Sequence, residues 1–490
     1  MRKTEKRARW LSWIHVFLWL ILPIVVVLLA QNSFAESNTE LKAVFRNIQV
    51  HPDYASVLSG EQPLEDFIKD GKDLFATRFN RFDGAGRRMS TGDSKPTIRT
   101  GKSVPMFHRL AGPDANSCTG CHNQPAAGGA GDFVANAFVG AHFTDPPTNS
   151  IEPAITNERN TISVFGAGVI EMLAFEMSQN LHALRDEAIF RSRQSNQDVR
   201  IRLVTKDVDF GFLIAHPDGS YDASEIEGVD IDLVVKPFGV KGVAVSIREF
   251  TNFALNQHHG IQPEERFGWS RTGVSDFDGD GISNEFTTDQ VTALSLYQAT
   301  LPPPTQVTPD DPSAQVIIER GRRVFQEIGC SSCHRPAMQL RSMFFFEPNP
   351  LNRPGSAIPD DVGGQVMVPL HVADGTGLYH GENFQLYVAA FTDLKRHRIC
   401  EADRQFFCNE EVIQDFVPTD QFLTSKLWDV GSSMPYGHRG DLTTLAEAIA
   451  HHGGEAREQS DKFLAQSSTD QMAVISFLKS LRIVLEPIGE

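Results

Sequence analysis

The sequence predicts a mainly α-helical protein with a β-rich insertion in its N-terminal half. Apolar residues recur at helical spacing in four stretches: residues 71–75, 288–300, 321–325 and 470–481. The insertion is predicted over residues 199–248, where apolar and polar side chains alternate around a Pro-Asp-Gly turn signal. The length of 490 residues allows about three domains. With 41% hydrophobic and 22% charged residues, the composition is that of a globular protein.

Two of the helical stretches share a local pattern. Residues 71–75 read G-K-D-L-F and residues 321–325 read G-R-R-V-F, so each has an aromatic residue four positions after a glycine, on the same helix face. The glycine would let a second helix approach closely. Each copy precedes a cysteine motif, which favours a repeated structural unit over a chance similarity. Phe75 lies much farther from its motif than Phe325 does, which predicts an insertion in the first unit.

Proline marks a predicted domain boundary. Residues 302–304 are three prolines, and the polar residues that follow them predict a linker over 302–314. The linker separates an N-terminal domain, residues 36–301, from a C-terminal domain, residues 315–490.

The N-terminus predicts export from the cytoplasm. Basic residues crowd the first nine positions, an apolar run extends from Trp10 to Ala30, and Ser33 and Ala35 are the small residues of a cleavage site. Residues 1–35 are therefore predicted to be a secretory signal peptide. An uncleaved anchor stays open, because the run is long enough to span a bilayer. In either case we expect the body of the protein in the periplasm, in contact with the membrane only if the segment is uncleaved.

The charge balance bears on partners. The 45 Lys and Arg residues against 62 Asp and Glu residues give a formal net charge of −17. This argues against nucleic acid, because phosphate binding needs a cationic surface. A small basic electron carrier would suit the acidic surface better.

Two C-x-x-C-H motifs carry the strongest chemical signal. They are residues 118–122, C-T-G-C-H, and residues 330–334, C-S-S-C-H. In such motifs two thiols add to the haem vinyl groups and the histidine is the proximal iron ligand. Cys118, Cys121, Cys330 and Cys333 are thus predicted to attach two haem c groups, with His122 and His334 as iron ligands. The alternative, a redox or zinc-binding cysteine pair, does not explain the histidine after both pairs.

The two remaining cysteines are Cys400 and Cys408. Their short separation and the expected oxidising compartment favour a local disulfide. Two free thiols are the alternative.

The chain resembles the bacterial di-haem cytochrome c peroxidase superfamily, and within it the branch of di-haem oxidoreductases. Besides the cysteine motifs, the segments that carry the resemblance are GPDANS (112–117), NQP (123–125), RNT (159–161), FGAGVIE (165–171), ERFGW (265–269), TDLKRH (392–397), LWDVG (427–431) and PYGHRG (435–440).

The resemblance implies two cytochrome c-like haem domains. The C-terminal haem would receive electrons and the N-terminal haem would meet peroxide. An aromatic side chain between the haems often relays electrons in this family, and Trp269 looks like its counterpart. A buried tryptophan that anchors a turn is the alternative.

The sequence departs from the family where relatives have a Gln and a Glu after the inter-haem tryptophan. Here residues 276–285 read D-F-D-G-D-G-I-S-N-E. Glu285 or Asp289 is the candidate for the acid–base group, and no spacing decides between them.

The same stretch resembles the start of an EF-hand loop. Asp276, Asp278 and Asp280 alternate before Gly281, as oxygen ligands of calcium do. Position twelve is Thr287 instead of the usual Glu, so a solvated acidic turn is the alternative to a calcium site.

Several other histidines are candidates near the haems. His142 lies close to the position where relatives carry a distal ligand, although a loop histidine beside a five-coordinate iron is equally compatible with the sequence. His258 and His259 are placed to reach a haem edge. His438 is expected to hold a propionate or a backbone carbonyl and not iron.

Two residues compete as sixth ligand of the C-terminal haem. Met434 is chemically suitable, since Met/His ligation is common in cytochromes c. In relatives, however, the ligand falls fourteen residues after the histidine of the Pro-Tyr-x-His motif, which here is His452. A helix cap is the alternative role for His452.

These observations predict a periplasmic di-haem c-type oxidoreductase that reduces hydrogen peroxide with electrons from a cytochrome c or a cupredoxin. Two alternatives stay open. One is a haem enzyme that oxidises a protein or organic substrate, and the other is a di-haem electron-transfer protein without peroxidase activity.

Overall fold

The computed structural model describes residues 45–86, 115–138, 156–373, 375–410 and 412–485. The predicted signal segment, residues 1–35, lies outside the described residues, as do His142 and the first three residues of the GPDANS segment. Residues Met1–Gln49 and Val50–Glu490 form separate units. The helices, strands and candidate sites all belong to the second unit. No helix in the described ranges has the length and hydropathy to cross a bilayer.

The described residues contain twelve α-helices. They are α1 (Tyr54–Ser59), α2 (Leu64–Ala76), α3 (Cys118–Cys121), α4 (Ala167–Ser195), α5 (Ile247–Ala254), α6 (Glu264–Phe267), α7 (Trp269–Thr272), α8 (Thr288–Ala299), α9 (Pro312–Glu327), α10 (Leu445–Ala450), α11 (Arg457–Leu464) and α12 (Ser468–Ser480).

The same residues contain fourteen strands. They are β1 (Gly131–Phe138), β2 (Thr156–Thr161), β3 (Val199–Thr205), β4 (Val208–Ala215), β5 (Tyr221–Asp222), β6 (Thr305–Gln306), β7 (Met338–Leu340), β8 (Phe344–Glu347), β9 (Val366–Pro369), β10 (Leu378–His380), β11 (Leu386–Val388), β12 (Arg396–Arg398), β13 (Gln421–Leu423) and β14 (Leu481–Arg482).

The prediction of a mainly α-helical fold is wrong. Helix accounts for 38% and strand for 17% of the structure, and the strands form six small antiparallel sheets. Nine strands follow residue 302, each two to four residues long. Strands of that length are too short to produce a readable alternation of apolar and polar residues.

Two separate cytochrome c-like domains are also not shown, since residues Val50–Glu490 group as one unit. The strands expected in the insertion are present. They form the sheet β3-β4-β5, which ends at Asp222, and the chain then continues in turns until α5 begins.

Helix ends follow local capping chemistry. Thr287 and Gln290 form a capping box at the start of α8, and Asp311 caps α9, which has Pro312 at its first position. Helix α4 begins after Gly166 and ends at Asn196, both in the left-handed conformation.

Two helix pairs share one kind of contact. Helix α2 packs on α8 and helix α9 packs on α12. A Cβ atom on Gly71 would lie 1.9 Å from Ala293 O, and one on Gly321 would lie 1.9 Å from Ala473 O. Only glycine therefore permits either pair to approach this closely. The repeat suggested by residues 71–75 and 321–325 is confirmed in this contact.

Replacing either glycine with alanine should destabilise the protein, whereas a Gly→Ala change in a helix usually stabilises it. In an exposed helix the change stabilises by about 1 kcal/mol. Here Gly71→Ala and Gly321→Ala should each lower the free energy of unfolding by about 1–3 kcal/mol, because the added methyl group forces the helices apart. Urea unfolding measures the effect.

The matched controls are Lys72→Ala and Arg323→Ala, exposed neighbours on the same helices. Glycine variants that are as stable as these controls would contradict the close-contact interpretation.

Candidate haem-binding sites

The first cysteine motif forms a short capped helix. Ser117 Oγ accepts a hydrogen bond from Gly120 N (3.1 Å) at the start of α3. His122, the first residue after α3, donates from Nδ1 to Gly129 O (3.2 Å). Burial lowers the pKa of His122 to about 4, so the ring is neutral. Its Nε2 is then the nitrogen available to a metal.

The second motif repeats this arrangement. His334 donates from Nδ1 to Phe391 O (3.1 Å), and burial lowers the pKa of His334 to about 4. Phe325 stands 6.4 Å from the His334 ring at 49°, and Phe75 stands 6.2 Å from the His122 ring at 47°. Two motifs separated by more than two hundred residues therefore each place an oriented, neutral histidine beside a glycine-dependent helix pair of the same kind.

A cavity opens beside the second motif. Cys330, Cys333 and His334 line it, and His452 lines it as well. Helices α9–α12 supply part of its apolar lining, through side chains that include Phe325, Leu445, Phe463, Val474 and Leu478.

His452 is prepared as a ligand in the same way as His334. Its Nδ1 donates to Ala448 O (2.7 Å), and burial lowers the pKa of His452. The neighbouring His451 is stacked on Phe406 with the ring centroids 4.3 Å apart. The rival ligand Met434 is 56% exposed and does not line the cavity.

The cavity beside the second motif, named the second cavity, has residues that fit a covalently attached haem. Two thiols lie beside a neutral proximal histidine, a second neutral histidine lines the same space, and the walls are apolar. Burial raises the pKa of Cys330 to about 12, so this sulfur is a neutral thiol. At the first motif burial likewise raises the pKa of Cys118 to about 12.

One polar wall of the second cavity contains His438. This side chain is 6% exposed, and neither ring nitrogen makes a hydrogen bond within the described residues. Its Nε2 lies 3.3 Å from Glu410 Oε1, a carboxylate that also accepts two hydrogen bonds from Arg159. Within the described residues no backbone carbonyl holds the His438 ring, and its role toward a propionate stays a prediction.

A π-helical turn, Leu255–His259, brings two histidines to the first motif. His259 donates from Nδ1 to Ala115 O (2.7 Å), and its Nε2 lies 3.7 Å from Cys118 Sγ. His259 therefore lies beside the first cysteine of the motif, and its contact with a haem edge stays a prediction.

The predicted catalytic residues occupy different environments. Trp269 is 70% exposed at the start of α7. Glu285 is 2% exposed, and its Oε2 accepts a hydrogen bond from Gln262 N (2.6 Å). Burial raises the pKa of Glu285 well above its usual range, with Asp278 adding to the effect. Asp289 instead accepts a hydrogen bond from Tyr54 N (3.2 Å).

Glu285 lies near the first motif. A Cβ atom on Gly84 would lie 2.3 Å from the Glu285 side chain, and Gly86, in the same loop, donates from its N–H to His259 O (2.9 Å). The loop therefore connects Glu285 with the histidine that contacts Cys118.

The acidic loop gathers three carboxylates. Oxygen atoms of Asp276, Asp278 and Asp280 lie within 4.8 Å of one another. Burial, with the neighbouring Asp280 next in effect, raises the pKa of Asp278 to about 7. Asp278 Oδ2 is buried without a hydrogen-bond partner in the described residues.

The predicted disulfide is confirmed. Cys400 and Cys408 are bonded, with their Cα atoms 5.2 Å apart.

Sequence reasoning missed the role of His397. Its ring lies between Asp393 and Glu455 at the edge of the second cavity. The i,i+4 spacing of Asp393 and His397 was a usable signal, but it does not show which cavity the pair would reach.

Comparison with known proteins assigns no family. No protein-family model and no curated protein matches the chain. A solved structure of Kuenenia stuttgartiensis hydrazine synthase is 16% identical, with a TM-score of 0.24 over 41% of this chain and 57% of that one. A MauG-like protein associated with microbial copper homeostasis is 14% identical, with a TM-score of 0.28 over 54% of this chain and 77% of that one. Neither likeness is close enough to assign a fold or a function.

Proposed function

We propose that the protein is a periplasmic di-haem c-type oxidoreductase that passes electrons from a small redox protein to hydrogen peroxide. One observation carries the proposal: two C-x-x-C-H motifs each present a histidine oriented by a backbone carbonyl and packed against a glycine-dependent helix pair. Cys118, Cys121, Cys330 and Cys333 would attach the two haems, which supply iron for redox chemistry.

The second site suits electron entry. His334 and His452 both line its cavity, and each has its Nδ1 bound to a backbone carbonyl. Two imidazoles on one iron leave no position for a substrate. They also favour the ferric state more than a His/Met pair does, which suits a donor of low potential.

One chain segment connects the two sites. Residues 160–163 line the second cavity, and Thr161 pairs with Gly131, ten residues after Cys121. Val164 donates from its N–H to Gly128 O (2.9 Å), next to the carbonyl that orients His122. This shared wall supports electron transfer between the haems.

A buried tryptophan lies beside this wall. Trp428 is 2% exposed and packs between Gly166 and Gly377, and the next residue, Asp429, lines the second cavity. Its burial supports a relay role better than the exposure of Trp269 does.

The first site suits the reaction with peroxide. Burial raises the pKa of Glu285 well above its usual range, which favours the protonated carboxyl group, and the loop of Gly84 and Gly86 links Glu285 to His259 beside Cys118. A protonated carboxyl group can give its proton to a leaving oxygen and recover it from solvent.

The charge and the leader sequence support the partner and the location. A net charge of −17 suits a cytochrome c or cupredoxin with a basic face. Periplasmic export rests on residues 1–35, and covalent haem attachment is compatible with that compartment.

We extend the proposal to one calcium ion on the acidic loop. Asp276, Asp278 and Asp280 supply hard oxygen ligands, and a divalent cation would relieve their mutual repulsion.

Peroxide turnover tests the function. Protein with two haems per chain by pyridine haemochrome should oxidise reduced cytochrome c or cupredoxin with peroxide much faster than free haem does. Glu285→Gln should lower kcat by about 10²-fold or more, because the proton donor is lost. Asp289→Asn, whose carboxylate is bound to Tyr54 N, is the control.

Turnover no faster than that of free haem would contradict the peroxidase proposal. If both haems were then low-spin in every redox state and bound no cyanide, the protein would be an electron carrier. A haem count below two would contradict the cofactor assignment itself.

Replacing His452 tests the ligation of the second haem. His452→Ala should convert one low-spin ferric EPR signal to high-spin and leave the other haem unchanged, because one axial nitrogen is lost. Met434→Ala is the matched control and should keep both signals. The reverse outcome would make Met434 the ligand.

Calcium should stabilise the folded protein. At a hundredfold excess over Kd the gain is about 2.7 kcal/mol, measured as a rise in Tm. Because the pKa of ion-free Asp278 is about 7, the gain should shrink as pH falls below 7, where protons compete with the ion. Asp278→Asn should abolish the gain and Asp310→Asn, exposed in the linker, should not. An equal gain in both variants would exclude this site.

A further inference from the structure

His397 makes two charge-assisted hydrogen bonds at the edge of the second cavity. Its Nε2 lies 2.8 Å from Asp393 Oδ2 and its Nδ1 lies 2.7 Å from Glu455 Oε2. Ionised carboxylates only accept hydrogen bonds, so both ring nitrogens must donate and the ring is an imidazolium. Burial lowers the pKa of His397, but hydrogen bonds with Asp393, Cys333 and Glu455, in decreasing order of effect, outweigh burial and raise it to about 12.

The two partners of His397 belong to the segments that would hold the iron. Asp393 follows two residues after Phe391, whose carbonyl orients His334. Glu455 follows three residues after His452. The imidazolium therefore joins the segment behind the proximal ligand to the segment that carries the distal ligand.

The loop after His452 has further contacts with the strand of His397. Glu455 also accepts a hydrogen bond from Arg398 N (2.8 Å), and Gly453 donates to Ile399 O (3.0 Å). Strand β12 is itself fixed, since it pairs with β13 and Arg396 donates to Gly228 O (3.0 Å). His397 is thus a charged link between a fixed strand and the loop of His452.

A metal site does not explain this cluster. Donor atoms of Cys333, Asp393 and His397 lie within 4.8 Å of one another. A metal would need a lone pair on His397, however, and both ring nitrogens carry protons. Cys333 would also be committed to its haem.

We propose that His397 is a positioning residue that keeps His452 on the iron of the second haem. The inference rests on the proposed function, because it requires a haem between His334 and His452. Without the imidazolium, Asp393 and Glu455 face each other as like charges, and hydrogen bonds such as those from Arg398 N and Gly453 N must hold the loop to this part of the chain without the charged link. The sixth position of the iron then opens to external ligands.

The experiment compares variants of the two-haem protein by EPR and cyanide titration. His397→Gln is neutral and cannot place a donor where both Nδ1 and Nε2 stand, so part of one low-spin signal should become high-spin. Cyanide should then bind that haem about tenfold more tightly or better, a gain of about 1.4 kcal/mol, because His452 competes less well for the sixth position. His397→Arg, whose guanidinium can reach both carboxylates, should restore the wild-type signal.

Two further variants keep the test decisive. Glu455→Gln removes the negative charge on the loop side of the link and leaves His397 and Asp393 intact, so it should reproduce the effect even if His397→Gln fails to fold. His216→Gln removes a histidine paired with Asp198 (2.9 Å) in the β-rich insertion and should change nothing.

The outcomes separate the two proposals. Wild-type spectra and cyanide binding in both His397→Gln and Glu455→Gln would overturn the positioning role. If His452→Ala also kept its low-spin signal, the ligation proposal itself would have failed. If only His452→Ala gave a high-spin signal, the proposal that His452 is the ligand would stand and only the positioning role of His397 would be excluded.

Discussion

The fold depends on two close helix contacts, each possible only because the contact residue is glycine. At Gly71 and at Gly321 the facing backbone oxygen occupies the space of a Cβ atom. The close approach puts an aromatic ring, Phe75 or Phe325, beside the histidine of a cysteine motif. A slight separation of either pair would move that ring and the wall of the site that it supports, since packed interiors transmit small displacements.

The chemistry of the histidines follows from their hydrogen-bond partners. A backbone carbonyl on Nδ1 leaves His122, His334 and His452 neutral, with Nε2 available to iron. Two carboxylates favour the protonated form of His397, at the edge of the same cavity. One residue type thus supplies both neutral rings and a charged link, and only the partner atoms decide which.

The two sites are built from overlapping parts of the chain, which explains why no pair of independent domains is seen. Residues 160–163 line the second cavity while Thr161 pairs with the strand that follows the first motif. Trp428 packs against Gly166, which begins α4. Contacts of this kind cross the predicted linker, so the linker does not mark a break in packing.

The sequence by itself determined the two cysteine motifs, their histidines, the paired glycines and the disulfide. Each of these is set by residue type and by spacing along the chain. Only the tertiary structure decided the fold class, since most strands are too short to leave a pattern and form only by pairing with distant segments. It alone showed that His452 lines the cavity whereas Met434 is exposed, and that Trp428 is buried whereas Trp269 is exposed, because burial is a property of what packs around a residue.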